Sequence, residues 1–367
     1  MAPLWAAQPF KASYCIFFSL KTILLLSTLS IRYVFKSLRP IRELDFGVCL
    51  KIALLHNAFR LFTAIRYQYP RQLEAGKLGD RFALISPPDP TLFSGALASP
   101  DIKPAPVGAI WHPSPVRQGQ GNGQKVIIQF SGGAFVLGWD PNAAPKLLSG
   151  FLTTHFKTAK LLYVQYRLAA PGTHFPAPLQ DALTAYNYVL SLGVAPDDII
   201  LCGDSAGGNI VIALLRYLET FPGKLPSPGG AIVWSPWVHV TSHAGQDYKD
   251  SRNSDIDLLY APLLDWGANT YIPKGDLTPA AQALISPLHH PFQTKTPIFI
   301  QAGTHEAFYD AIRSFSGEMT NVEGNRIRFH ETKFVLHDLF LSNMILHMDT
   351  KVQAAVEDAQ AFFEEKT

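Results

Sequence analysis

The stretch DIILCGDSAGGNIVIALLRYLE, residues 198–219, decides how the rest of the chain is read. An apolar run, Ile199 to Cys202, leads straight into Gly203-Asp204-Ser205-Ala206-Gly207, and a helical pattern follows at once with Ile210, Ala213, Leu214 and Tyr217 on one face. A GxSxG serine needs this context of strand, tight turn and helix. Small residues on either side let the turn close, so the serine oxygen projects from the end of a sheet, where it can act as a nucleophile. The plainer reading, a glycine-rich turn that happens to contain a serine, would not require both flanking elements.

Working outward, the alternation of strand and helix recurs. From about residue 80, the runs RFALIS, VGAIWHP, KVIIQF, KLLYVQY, DIILCG, GAIVWS, TPIFIQAG and RIRFHE are short and β-rich, with helical stretches between them. Eight such strands predict an α/β fold with a mostly parallel, eight-stranded central sheet flanked by helices. Pro- and Gly-rich loops at 86–106 and 112–124 punctuate the first strands rather than separating two domains. The glycines of GQGNG precede a strand instead of following one, so they are a turn and not a dinucleotide fingerprint.

An elbow serine needs donors for the developing oxyanion, a base, and an acid to orient the base. The predicted strand Lys125 to Phe130 ends in Ser131-Gly132-Gly133-Ala134, and a glycine pair there can turn backbone N–H groups inward. Gly132 and Gly133, with Ala206 after the nucleophile, are the candidate donors, while which N–H of 132–134 points inward stays open. The predicted strand 297–303 runs into GTHEAFYD, where Glu306 lies nearest the strand end and is the preferred acid; Asp310, a helical turn further on, is the alternative. A loop after the strand Ile327 to Glu331 reaches His337, the candidate base, whereas His330 inside that strand and His347 inside the last helix read as structural. The chain order serine, acid, histidine is one in which such triads occur. His289-His290 and the His-Glu pairs at 305 and 330 lack the second histidine of an HExxH helix, and no Cys/His ligand spacing is present, so no metal site is expected.

With these segments assembled, the chain resembles the hormone-sensitive lipase-like and arylacetamide deacetylase-like branch of the α/β-hydrolases. The similarity runs over roughly residues 105–365. SGGAFVLGW stands in place of that family's HGGG segment, and YRLAAPGTHFPAPLQDA resembles its YRLAP segment. GDSAGGN, GTHEAFYD and LHDLF match its nucleophile, acid and histidine segments. The resemblance implies hydrolysis of carboxylic esters through an acyl-enzyme on Ser205, Glu306 and His337, with no cofactor. It also implies an N-terminal membrane anchor in some members. Two departures stand out: Ser131 replaces the leading histidine of the motif, and Ala134 replaces its last glycine, which narrows the acyl or alcohol pocket.

Composition bounds the partners. The net charge of +2 is too small for a nucleic-acid binder, and 47% hydrophobic residues against 16% charged exclude wholesale disorder. The basic charge is concentrated, because residues 1–71 hold ten Lys and Arg against only Glu43 and Asp45. Residues 12–35 are apolar apart from Lys21, Arg32 and some Ser and Thr, and they read as a membrane span or monotopic anchor, a hydrophobic lid, or a cleaved signal peptide. Lys11 lies before this segment and Arg32, Lys36, Arg39 and Arg42 lie after it, which places a following domain in the cytosol, with the endoplasmic reticulum as a candidate membrane. A soluble cytoplasmic protein is the alternative. Three cysteines and no Asn-x-Ser/Thr site agree with a reducing compartment.

Apolar residues spaced by three or four from Leu44 to Arg66 predict an amphipathic helix, packed on its own domain or lying over the site beside a membrane. The expected organisation is an N-terminal helical arm, 1–75, and a catalytic domain, 76–367, with a cap at 240–290 in which Tyr260, Trp266 and Tyr271 roof the pocket. The leading function is hydrolysis of a lipophilic ester such as an acetylated sterol, aryl or specialised metabolite. Acyl transfer in a biosynthetic pathway would use the same residues. A non-catalytic binding protein would have no need of a base beside an elbow serine.

Overall fold

The structure, a computed structural model, describes residues 3–156 and 160–365. Eight strands build one sheet: β1 (Phe82–Ile85), β2 (Val107–His112), β3 (Val126–Phe130), β4 (Lys160–Gln165), β5 (Ile199–Asp204), β6 (Gly230–Trp234), β7 (Ile298–Gly303) and β8 (Ile327–Thr332), in the order β1-β2-β4-β3-β5-β6-β7-β8. β2 runs antiparallel to both its neighbours, and all pairs from β4 to β8 are parallel. The central strands VIIQF of β3 and GAIVW of β6 are buried at every position. That is why, apart from Gln129, which donates to Asp204 at 3.0 Å, they read as apolar runs rather than alternating, for helices cover both faces.

Two helices precede the sheet, α1 (Phe10–Tyr33) and α2 (Phe46–Ala64). Within the sheet region come α3 (Ala144–His155), α4 (Ala177–Ser191) and α5 (Ala206–Thr220), then α6 (Ala244–Asp250), α7 (Ala261–Tyr271) and α8 (Pro279–Ile285) in the cap segment. α9 (Tyr309–Thr320), α10 (Leu339–Leu346) and α11 (Asp349–Glu364) complete the chain. His347 departs from expectation: it lies between α10 and α11 in a left-handed conformation, φ 53°, and ends a helix instead of sitting inside one.

The chain steps from β3 out to β4 and then returns to the other side of β3 with β5. The loops after β3 and β5 therefore leave the sheet side by side at a topological switch point, where α/β sheets form their clefts. Because β3 and β5 to β8 are parallel, the turns that follow them all gather at the same edge.

α1 and α2 are both long and apolar enough to cross a membrane by length and composition. They differ in what covers them. α2 buries Cys49, Ile52, Asn57, Phe59 and Thr63, and its flank meets the cap, with Arg60 over the Tyr260 ring at 5.2 Å and, just past the helix, Arg66 over Trp266 at 4.5 Å. α1 buries only Phe18 and Tyr33. It touches α2 through a hydrogen bond from Asn57 to Thr22, and Arg39 closes the turn between the helices by donating to the carbonyls of Tyr33 at 2.8 Å and Leu44 at 3.0 Å. Tyr271 is not a roof residue: it is fully buried and stacked on Phe135 beneath the loop that follows β3.

Candidate active site

Ser205 is the single residue between β5 and α5, held at φ 50°, ψ −117°. A side chain in that region is strained by on the order of 1–3 kcal/mol, and the turn survives because its neighbours give it no room to relax. A Cβ on Gly207 would collide with the carbonyl of Phe130 in β3, and one on Gly203 with the carbonyl of Gly207. Both GxSxG glycines are thus required by close approach of backbone.

His337 follows β8, and its Nε2 lies 2.8 Å from Ser205 Oγ. Its Nδ1 lies 2.8 Å from Glu306 Oε2. Glu306 follows β7, and its other oxygen accepts the Gly303 N–H at 2.7 Å and the Ser235 hydroxyl at 3.0 Å. Glu306 is fully buried, whereas Asp310 is exposed and paired with Arg252 at 3.2 Å. Of the two acids, then, Glu306 is the one that meets the imidazole. His330 pairs instead with Asp358 of α11 at 2.7 Å.

Several residues at the site carry no local sequence signal. Asp257, in the cap and almost completely buried, accepts the backbone N–H of His337 at 2.8 Å on one oxygen and that of Ala307 at 2.8 Å on the other. It thereby clamps the histidine loop to the turn carrying the acid. Asn253 adds a bond from its side-chain amide to the Glu306 carbonyl at 2.9 Å. Ser235, after β6, binds Glu306 and also accepts the Asp338 N–H at 3.1 Å.

These contacts set the electrostatics. Burial alone lowers the pKa of His337, but the hydrogen bond and charge of Glu306, joined by Asp257 and Asp338, outweigh it and raise the imidazole above its ordinary value. Burial raises Glu306, with the His337 bond opposing it. Asp204 is raised well above its ordinary value, first by burial and then by the nearby Asp338.

The loop after β3 corrects one expectation. The Gly132 N–H is already given to Asp204 Oδ2 at 2.6 Å, so it cannot face a substrate. No acceptor meets the N–H of Gly133 or of Ala134 among the described residues. These two, with Ala206 at the first position of α5, are the candidate backbone donors in the loops after β3 and β5. Gly133 has φ 121°, and Ala134 and Phe135 also have positive φ, which turns successive N–H groups the same way. Ala134 sits against Gly267 of α7, where a Cβ would strike it, so the cap leaves room for the methyl that the sequence expectation placed in the pocket. Among the described residues no cluster of His, Cys, Asp and Glu could hold a metal ion.

Residues 127–341 match the alpha/beta hydrolase fold family, more than half of the chain. An acetyl-hydrolase of Streptomyces hygroscopicus is 28% identical over 243 residues, 66% of this chain and 76% of that protein. An esterase of Acinetobacter venetianus is 29% identical over 53% of this chain and 61% of its own length. In three dimensions, an esterase of the bacterial hormone-sensitive lipase family superposes with a TM-score of 0.62 at 22% identity, covering 87% of this chain and 98% of that one, a likeness of fold.

Proposed function

This chain belongs to the α/β-hydrolase fold family, and on that premise we propose that it is a serine esterase that cleaves lipophilic carboxylic esters through an acyl-enzyme. The observation that carries the proposal is the unbroken chain Ser205 Oγ, His337, Glu306, with 2.8 Å at both links.

In this mechanism Ser205 Oγ attacks the ester carbonyl as His337 Nε2 takes its proton. Glu306 holds the Nδ1–H and stabilises the imidazolium. The N–H groups of Gly133, Ala134 and Ala206 receive the oxyanion, a contribution worth about 10²–10³ in rate per donor. Collapse of the tetrahedral intermediate expels the alcohol, protonated by His337. Water then repeats the sequence and frees the acid.

The surroundings support a lipophilic substrate. Phe308 stands edge-on to His337 at 5.0 Å, and Trp237 stacks on Phe308 at 5.8 Å. Further from the serine, α1 exposes Ile16, Phe17, Leu20, Ile23, Leu24 and Ile31. At 1.5 Å per residue a helix of its 24 residues is about 36 Å long, enough for a hydrocarbon core of about 30 Å. We take α1 as the membrane-inserted element, with the catalytic domain on the cytosolic face.

Labelling with a fluorophosphonate, followed by p-nitrophenyl esters of increasing chain length, tests the reading. The wild type should label and turn over, and Ser205→Ala should do neither while melting at the same temperature. A Ser205→Ala protein that still labels would remove the nucleophile from this position.

A further inference from the structure

Hydrogen bonds hold three successive peptide planes of the loop after β3. The 131–132 peptide is gripped at both ends, since the Tyr166 hydroxyl donates to the Ser131 carbonyl at 2.7 Å and the Gly132 N–H donates to Asp204. In the 133–134 peptide, the Gly133 carbonyl accepts the N–H of Val136 at 3.0 Å and of Leu137 at 2.8 Å, leaving the Ala134 N–H free on the opposite side. In the 132–133 peptide between them, the Gly132 carbonyl accepts one side-chain bond, from Trp139 Nε1–H at 3.0 Å. The C=O and N–H of a trans peptide point in opposite directions. Whatever fixes the Gly132 carbonyl therefore aims the Gly133 N–H.

Trp139 is itself held by the N-terminal arm. Phe59, buried in α2, meets its ring edge-to-face at 6.4 Å and 84°, and just beyond α2 Tyr69 packs so closely on Gly138 that a Cβ there would press on its backbone. Edge-to-face pairs restrict ring orientation as well as bury area.

We propose that Trp139 is a positioning residue for the oxyanion hole, and that α2 of the arm acts on catalysis through Phe59 by holding Trp139 against the Gly132 carbonyl. The arm is then part of the catalytic machinery as well as an anchor. This rests on the reading of Ser205 as nucleophile and of the Gly133 N–H as an oxyanion donor.

The test uses the full-length chain in detergent. Trp139→Phe keeps a ring and removes the donor. A misaimed oxyanion donor weakens the transition state and not the ground state, so kcat should fall about 10-fold or more with KM within about 2-fold. A trifluoromethyl ketone, which Ser205 attacks to give an anionic adduct in the hole, should lose affinity by the same factor. Phe59→Leu keeps the donor and loosens its support, so it should lower kcat and ketone affinity together by a smaller factor. In the Trp139→Phe background it should add less than about 2-fold, because it acts through the residue already changed.

An unchanged kcat in Trp139→Phe, a kcat loss without matching loss of ketone affinity, or multiplicative losses in the double variant would each overturn the inference. If Trp139→Phe fails to fold, Phe59→Leu decides alone, and separate behaviour of kcat and ketone affinity overturns it. A wild type that neither labels with a fluorophosphonate nor cleaves esters would instead overturn the underlying reading, and this inference with it.

Discussion

At the scale of single residues, the imidazole of His337 is surrounded by acidic groups: Glu306 at Nδ1, Asp257 at its backbone N–H, and Asp338 and Asp204 nearby. A base must be neutral to accept the serine proton, so a raised pKa brings the acid limb of the pH profile upward. Asp257→Asn removes one negative charge near His337, which lowers the pKa of its imidazole. The acid limb of kcat/KM should then move to lower pH, and a limb that stays in place would show that Asp257 acts only as a mechanical clamp. Glu306→Gln should cost much more. Neutralising the acid of a serine protease lowers kcat by about 10⁴, and about 10³ is expected for esters, which have better leaving groups. Asp310→Asn should stay within about 10-fold, because its carboxylate is exposed on Arg252. The gap between the two variants corresponds to about 2.7 kcal/mol of transition-state stabilisation, easily resolved by kcat/KM.

The elements of this protein divide by what holds them in place. Of the strands feeding the site, β3, β5, β6 and β7 have strand neighbours on both sides, while β8 closes the sheet against β7 alone. α1 packs against α2, and its outer face is exposed. Its exposed Leu, Ile and Phe side chains account for the expectation that removing residues 1–40 moves the protein from the membrane pellet to the soluble fraction. Ile41 and the buried face of α2 remain in the shortened chain, so its melting temperature should change little. Full-length protein that is already soluble without detergent would argue against α1 as the anchor. Lys21, midway along α1 and exposed, costs roughly 2.5–3.5 kcal/mol at a bilayer centre, an amount several leucines and isoleucines offset.

At the scale of the whole molecule, charge is divided between a basic, apolar N-terminal segment, residues 1–71, and a remainder of opposite net charge. The eight strands, the elbow at Ser205 and the order of serine, acid and histidine could all be read from the sequence, because each depends on neighbours within a few residues: apolar runs of strand length, small residues around a tight turn, a carboxylate at a strand end. The contact of Glu306 with His337 agrees with its position nearest the end of β7, which is a local property. The partners of the Gly132 and His337 N–H groups were not legible in the sequence. Asp204 is 72 residues from Gly132 and Asp257 is 80 residues from His337, and nothing in a carboxylate's own surroundings announces which distant N–H it will accept. The same holds for Phe59 and Trp139. Sequence alone determined the layered sheet and singled out the candidate reacting groups, through periodicity and turn chemistry. Which N–H groups remain free for an oxyanion, and whether the arm reaches the site, were decided only when parallel strands brought distant loops to one edge, because hydrogen bonds are assigned by proximity in space.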